Sequence, residues 1–148
     1  MIRKLALLFV FLATLSMVYA FPYHLNKRAA QFQQCDGSIP GIDVKIIPDP
    51  PKAGSNLEVK GSTETNIDTG DFIFFGIADL TGSQPVLIFS GTPVDICAKT
   101  KCPTTTYNFD ENYDLSNVTS FPEKFGVAVL IGPDSSDPPK ACEFAVFP

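Results

Sequence analysis

From residue 31 onward, the chain consists of short segments in which apolar and polar residues alternate, separated by turns rich in proline and glycine. Ile42, Val44 and Ile46, for example, alternate with charged residues until the proline-rich stretch 48–51. Successive side chains of a strand point to opposite faces, so this alternation predicts strands with one buried face. No segment after residue 30 has helical periodicity. The pattern therefore predicts an all-β fold, an antiparallel β-sandwich of seven or eight strands.

One predicted strand departs from this alternation. Residues 72–77, with the sequence Phe-Ile-Phe-Phe-Gly-Ile, are apolar on both faces, which is unusual for a strand that has one side in water. A filled sandwich core would account for most of the apolar residues in the chain. A cavity between the sheets is the alternative that would also account for this strand.

The first 28 residues have the features of segments removed during export. Residues 1–20 resemble a secretory signal peptide, with a basic start, an apolar run over 5–15 and small residues before position 21. Residues 21–28 form a possible propeptide ending in the dibasic pair Lys27-Arg28, and an uncut exposed tail is the alternative. We expect the folded domain over 29–148, either secreted or in a vacuolar or lysosomal lumen reached through the secretory pathway.

The composition of residues 29–148 excludes several classes of function. The only histidine is His24, so this range lacks the imidazole that Ser-His-Asp and Cys-His sites and mixed His/Cys zinc sites need. It contains 7 lysines, no arginine and all 16 acidic residues, giving a net charge of 7 − 16 = −9. Such a charge is unsuited to nucleic acid. We expect no catalytic residue, metal site or cofactor, and a protein that is not an enzyme.

The segment 110–119 contains several acidic residues and a sequon. Asp110 and Asp114 are expected to face solvent, whereas Glu111 falls on the apolar face of its predicted strand. A carboxylate-based glycan hydrolase is an alternative that rests on Glu111 alone. Asn117-Val118-Thr119 is an N-glycosylation sequon, which predicts a glycan on Asn117 in a surface loop.

Four cysteines follow the predicted signal peptide, and in an oxidising compartment they predict two disulfides. Three pairings are possible. Proximity favours Cys97 with Cys102, which leaves Cys35 with Cys142 to join the start of the domain to its end.

Several motifs occur in an order that is characteristic as a set. They are Gln31-Phe32-Gln33-Gln34-Cys35, the stretch 44–54 with its Pro-Asp-Pro-Pro-Lys-Ala-Gly turn, Cys97-x4-Cys102-Pro103, Phe121-Pro122 and Cys142-Glu143-Phe144. Together they resemble the ML lipid-recognition domain family, which includes the Niemann–Pick type C lumenal sterol carrier and the fungal phosphatidylglycerol/phosphatidylinositol transfer proteins. The proline-rich turn is most similar to the fungal branch. The sterol carriers have a further cysteine pair near 48–54 that this chain lacks, which favours a general lipid or phospholipid over a sterol.

This resemblance implies an immunoglobulin-like sandwich with an apolar cavity between its sheets, the pairings Cys35–Cys142 and Cys97–Cys102, and lipid binding and transfer without chemistry. The residues expected to line the cavity and its mouth are all apolar. They are Phe72, Phe74, Phe89, Val94, Ile96, Phe109, Val118, Phe121, Pro122, Phe125 and Val127. The expected partners are a sterol or phospholipid ligand and, transiently, membranes or a membrane lipid acceptor, and the chain is expected to be a monomer. An extracellular β-sandwich interaction module with a filled core is the alternative.

Overall fold

The computed structural model describes residues 30–133 and 138–148, and all regular structure in these ranges is β-strand. The predicted signal peptide (1–20) and the possible propeptide (21–28) lie outside the described residues. The strands are β1 (Gln33–Gln34), β2 (Asp43–Ile47), β3 (Asn56–Thr63), β4 (Phe72–Asp79), β5 (Val86–Ser90), β6 (Val94–Asp95), β7 (Tyr107–Asp114), β8 (Phe125–Gly132) and β9 (Ala141–Phe147). The described ranges contain no helix with the length and apolar character needed to cross a membrane.

The strands form two sheets in which every pairing is antiparallel. The six-stranded sheet has the order β1-β9-β8-β4-β5, and β6 also pairs with β4. The three-stranded sheet has the order β2-β3-β7. The predicted all-β antiparallel sandwich is confirmed. The described residues form nine strands rather than seven or eight, because β6 is only two residues long, too short for any alternation to show.

The core lies between the two sheets and is formed by alternate residues of each strand. On β4 the inward residues are Ile73, Phe75 and Ile77, each at most 2% exposed. Val127 and Val129 of β8 are fully buried beside them, and Leu57 of β3 is fully buried on the three-stranded sheet. Burying a side chain of this size contributes about 1.5–3 kcal/mol relative to leaving it exposed, so this layer is the main source of stability.

The outward faces of the two sheets differ in polarity. The outward residues of the three-stranded sheet are mostly charged or amide side chains, in the usual pattern of a solvated face. On the six-stranded sheet the outward residues of β4, β8 and β9 are apolar or glycine. They are Phe72, Phe74, Gly76, Ala78, Gly126, Ala128, Leu130, Phe144 and Val146.

This outer face accounts for the strand that is apolar on both sides. Phe72 and Phe74 are half-buried on the face of β4 opposite to the core residues, with their ring centroids 6.2 Å apart. The sequence-based expectation that they line the space between the sheets is therefore wrong. The second apolar face of β4 belongs to the outer surface of the sheet and not to a cavity.

Both expected disulfides are present. Cys35–Cys142 joins residues 107 positions apart and ties the end of β1 to β9. Cys97–Cys102 closes a short loop after β6. The Cα atoms of each pair are 5.5 Å apart, in the normal range for a disulfide.

A buried carboxylate fixes the start of β4. Asp71 is 2% exposed, and its Oδ2 accepts hydrogen bonds from the Asp68 N–H and from Lys140 Nζ, each at 2.7 Å. Lys140 Nζ also lies 2.8 Å from Asp68 Oδ2. Hydrogen bonds to Asp68 and then Asp71 raise the pKa of Lys140, because both carboxylates stabilise its charged form. The ammonium thus joins the turn before β4 to the residue that precedes β9.

Candidate functional site

The two sheets meet without a backbone ladder along one edge of the sandwich, between β5–β6 on one side and β7 on the other. Both β5 and β6 pair with β4, whereas β7 pairs with β3. No strand ladder joins the described strands on the two sides of this edge, which we call the seam. Side chains can part without breaking a strand ladder, so the seam is a route by which an apolar molecule could reach the core.

Three aromatic rings close one part of the seam, where Phe75, Phe89 and Tyr113 meet. Phe75 of β4 stacks on Tyr113 of β7 with ring centroids 4.3 Å apart, and Phe89 of β5 meets them edge-on at 6.0 Å and 6.4 Å. A Cβ atom at Gly91 would overlap the Tyr113 ring, so only glycine leaves room for the ring there. Edge-to-face and offset arrangements of this kind are favourable, so the rings form a packed closure.

An ion pair closes the neighbouring part of the seam. Lys99, in the Cys97–Cys102 loop, donates a hydrogen bond from Nζ to Oε1 of Glu111 on β7. The side chain of Glu111 is 13% exposed, and its residue pairs in regular register with Val59 of β3. The hydrogen bond to Glu111 raises the pKa of Lys99. The disulfide loop therefore supplies the charge that Glu111 needs in order to lie on the inward side of its strand.

The two tyrosines of β7 flank Glu111 along the same face. Burial, with a further contribution from the Glu111 carboxylate, raises the pKa of Tyr113 to about 12. The same two causes raise the pKa of Tyr107. Both groups are therefore neutral at any physiological pH. With Lys99 and Glu111 paired to each other, the seam presents rings, neutral hydroxyls and one closed ion pair.

A second aromatic group lies at another end of the core. Phe121, in the loop before β8, stacks on Phe125 with centroids 4.5 Å apart, and Phe125 stacks on Phe147 of β9 at 4.9 Å. Phe121 is half-buried, whereas Phe125 and Phe147 are buried. Val118 of the same loop is also buried in the core.

The sequence-predicted lipid residues divide into three groups in the structure. Ile96, Phe109, Val118, Phe125 and Val127 are buried in the core between the sheets. Phe89, Val94, Phe121 and Pro122 are half-buried at its margin. Phe72 and Phe74 lie on the outer face.

The structure does not bring the margin residues into one group. Phe89 contacts the rings of the seam, whereas Phe121 contacts the separate stack on Phe125. Asn117 lies in an exposed turn between β7 and β8, where a glycan would have room.

Two pockets open on the surface away from these residues. One of about 460 Å³ is lined by residues 30–33, 42–44 and Glu143. The other, of about 420 Å³, is lined by Pro40, residues 64–66, Thr105 and Thr106. Neither has a predicted lipid-contacting residue in its wall. Glu143, in the first pocket, accepts a hydrogen bond from the Ile42 N–H at 3.2 Å and so links β9 to the start of β2.

Sequence reasoning missed the residues that close the seam. Alternation along β7 identifies Tyr113 as inward-facing, but Phe75 belongs to a segment that is apolar on both faces. Their stacking depends in addition on how the two sheets are superposed. Lys99 had no signal of its own beyond its place between two cysteines. Alternation along the strand does identify Glu111 as an inward carboxylate. A carboxylate in that position needs a cation close to it, and this need was the available clue to Lys99.

Comparison with known proteins adds no assignment: no protein-family model matches the chain, and no curated protein matches it significantly.

Proposed function

We propose that this chain is a lipid-binding and lipid-transfer protein that takes a sterol or phospholipid between its two sheets, with no covalent chemistry. The observation that carries the proposal is the seam. At this edge three aromatic rings and one ion pair lie between the apolar core and water, and the described strands on its two sides are not paired with each other.

The physical basis of binding would be transfer of apolar ligand surface from water to the core, worth about 25 cal/mol per Å². Opening the seam would move Phe89 and Tyr113 apart, and their inner faces would then contact the ligand. A phospholipid headgroup would stay at the rim, where Lys99 offers a cation once it leaves Glu111. The Cys97–Cys102 disulfide would keep the loop that carries Lys99 in place during this movement. The order of motifs that resembles the ML family supports the same function.

The proposal is tested by lipid exchange together with a tryptophan reporter. The chain contains no tryptophan, so a single Phe89→Trp variant reports only on the seam. We expect the unmodified protein to extract fluorescent sterol or phospholipid from vesicles and to transfer it to acceptor vesicles. The emission of Phe89→Trp should shift as lipid binds. Ile47→Trp, on the outer face of the three-stranded sheet, is the matched control and should not shift.

A variant pair completes the test. Phe89→Asp places a charge in the path of an apolar ligand and should lower transfer at least tenfold, whereas Ile47→Asp should not. The proposal is overturned if the unmodified protein extracts no lipid from any vesicle, or if the two aspartate variants behave alike.

An extracellular interaction module with a filled core is the second candidate. Close packing of rings between the sheets favours it, with Phe75–Tyr113 at 4.3 Å and Phe121–Phe125 at 4.5 Å. Rings this close leave no gap between them for an acyl chain unless they move. Absence of lipid uptake with a fully folded protein would decide for this candidate.

A further inference from the structure

We propose that the outer face of the six-stranded sheet is a contact surface on which a second copy of this chain packs. This proposal does not depend on lipid binding, and it replaces the monomer expected from the sequence. The surface, which we call the apolar outer face, consists of the outward residues of β4, β8 and β9 with Leu80 and Leu87 beside them.

The apolar outer face is continuous. Small residues form its middle, and Leu80 and Leu87 of the same chain pack over them. A Cβ atom at Gly76 would lie 3.3 Å from Leu87 Cδ1, and one at Gly126 would lie 3.0 Å from Leu80 Cδ1. Phe72, Phe74, Leu130 and Phe144 extend the surface toward the other end of the strands. β4 and β8 are each paired on both sides, and β9 pairs with β8 along its length and with β1 at Glu143 and Phe144.

The opposite side of the sandwich provides the contrast. The outward residues of the three-stranded sheet include Lys45, Glu58, Lys60 and Asp110, and Lys60 pairs with both acidic residues. The apolar outer face has no charged side chain among the residues that define it. If both outer faces were simply exposed to water, both should carry polar residues, as the exposed face of an antiparallel sheet normally does. The difference between the two faces therefore needs another explanation.

Charge favours a contact at this face between two copies. Residues 29–148 carry 7 lysines against 16 acidic residues, so two copies repel each other. An uncharged surface is the place where they can approach with the smallest electrostatic cost. The same lack of charge disfavours a membrane as the occupant, because the face offers no lysine to an anionic headgroup. Only Leu87 and Val146 protrude well, at 62% and 43% exposed, so few side chains could reach the acyl region.

The size of the face fits a weak dimer. From Phe72 to Ala78 the strand spans about 20 Å, and four strands about 4.8 Å apart span about 14–19 Å, giving a flat area of about 300–400 Å² per copy. Patches of about 300–600 Å² are often functional. Two copies would bury about 600–800 Å² in total, less than the roughly 1,000 Å² of a stable interface, so the dimer would be weak and transient. We therefore expect a dissociation constant on the order of 10–100 µM.

The test is sedimentation velocity over a concentration range of about 5–500 µM, which brackets that constant, on the full chain exported by a eukaryotic expression host. The weight-average mass of the unmodified protein should rise toward that of a dimer. Raising the sodium chloride concentration should strengthen the association, because salt screens the repulsion between acidic copies. The double variant Leu87→Lys/Val146→Lys should remain monomeric over the whole range.

Ile47→Lys is the matched control, because Ile47 is 54% exposed on the outer face of the other sheet. It should dimerise like the unmodified protein, and circular dichroism should show all variants folded. A monomer at every concentration and salt, or equal dissociation by Ile47→Lys, overturns the proposal. So does a monomer that binds phosphatidylcholine vesicles and loses that binding in the double variant, since the face would then serve a lipid surface. The concentration series on the unmodified protein decides the matter even if the double variant does not fold.

Discussion

Single atoms decide how the seam closes, and Gly91 shows this most directly. Its missing Cβ leaves the space that the Tyr113 ring occupies against Phe75 and Phe89. The sequence marks Gly91 only as one of ten glycines, and nothing local separates it from a turn glycine. Its role follows from the position of a ring on the other sheet, so it could not be predicted before the sheets were superposed.

Gly91→Ala should therefore destabilise the fold. The added methyl group must displace the Tyr113 ring from a packed site, and overpacking of this kind typically costs about 1–3 kcal/mol. Urea denaturation measures the change in the free energy of unfolding. Gly82→Ala is the control, because its Cβ would come no closer than 3.6 Å to another atom. Equal stability of the two variants would show that Tyr113 is not held as described.

Tyr113 itself gives a pH-dependent prediction. Its pKa is raised to about 12 in the folded protein from an ordinary value of 10.0, so the unfolded chain loses this proton first as pH rises. The neutral hydroxyl thus contributes stability that is complete below pH 10 and is lost as pH rises from about 10 to about 12.

Tyr113→Phe should show a weaker fall in stability across that alkaline interval than the unmodified protein. Thermal unfolding followed at several pH values between about 9 and 12, bracketing ordinary and raised tyrosine pKa values, measures the difference. Ultraviolet titration should in addition lose its latest phenolate transition in the variant. An unchanged titration curve would contradict the burial of this hydroxyl.

At the scale of elements, the alternation of polar and apolar residues predicts the strands well. β2 falls where the alternation of Ile42, Val44 and Ile46 places it, and β4 begins at Phe72, the first residue of the apolar segment 72–77. β6 is too short to carry a pattern. For β4 the sequence shows two apolar faces but does not say which one meets the core. The structure assigns Ile73, Phe75 and Ile77 to the core and leaves Phe72 and Phe74 outside.

The contact between elements that is most open to test is the one made by Lys140. Lys140→Met should leave the Asp71 carboxylate buried with only the Asp68 N–H as a partner. Leaving a buried polar group unsatisfied costs about 1–3 kcal/mol, and chemical denaturation should detect a loss of this size.

Lys60→Met is the natural control for Lys140→Met. Lys60 also bridges two carboxylates, those of Glu58 and Asp110, but neither carboxylate is buried as Asp71 is: their side chains are 30% and 53% exposed. Surface ion pairs contribute little, so this variant should unfold almost like the unmodified protein. If the two methionine variants lose equal stability, the burial of Asp71 does not matter in the way proposed.

At the scale of the whole molecule, the two disulfides have unequal roles. Cys35–Cys142 closes a loop that includes nearly the whole domain, whereas Cys97–Cys102 closes a loop of a few residues. On the chain-entropy model, the long bridge contributes roughly 4–5 kcal/mol and the short one about 2 kcal/mol. The sequence predicts this pairing from proximity, and the structure confirms it.

Replacing each cysteine pair by alanine should reproduce that order. Guanidinium denaturation of Cys35→Ala/Cys142→Ala should show the larger loss of stability. Cys97→Ala/Cys102→Ala should lose less stability. If the proposed lipid transfer occurs, this variant should impair it more, because its loop carries Lys99. A short bridge that matters more for stability than the long one would contradict the entropic account.

The unlike outer faces of the two sheets have a consequence for the molecule as a particle. With charged groups concentrated on one side and an uncharged hydrocarbon surface on the other, it is a two-sided amphiphile, built without any amphipathic helix in the described residues. Such a particle adopts a preferred orientation at any boundary between water and a less polar medium. Its adsorption to an air–water interface should be ordered, with the three-stranded sheet toward the water.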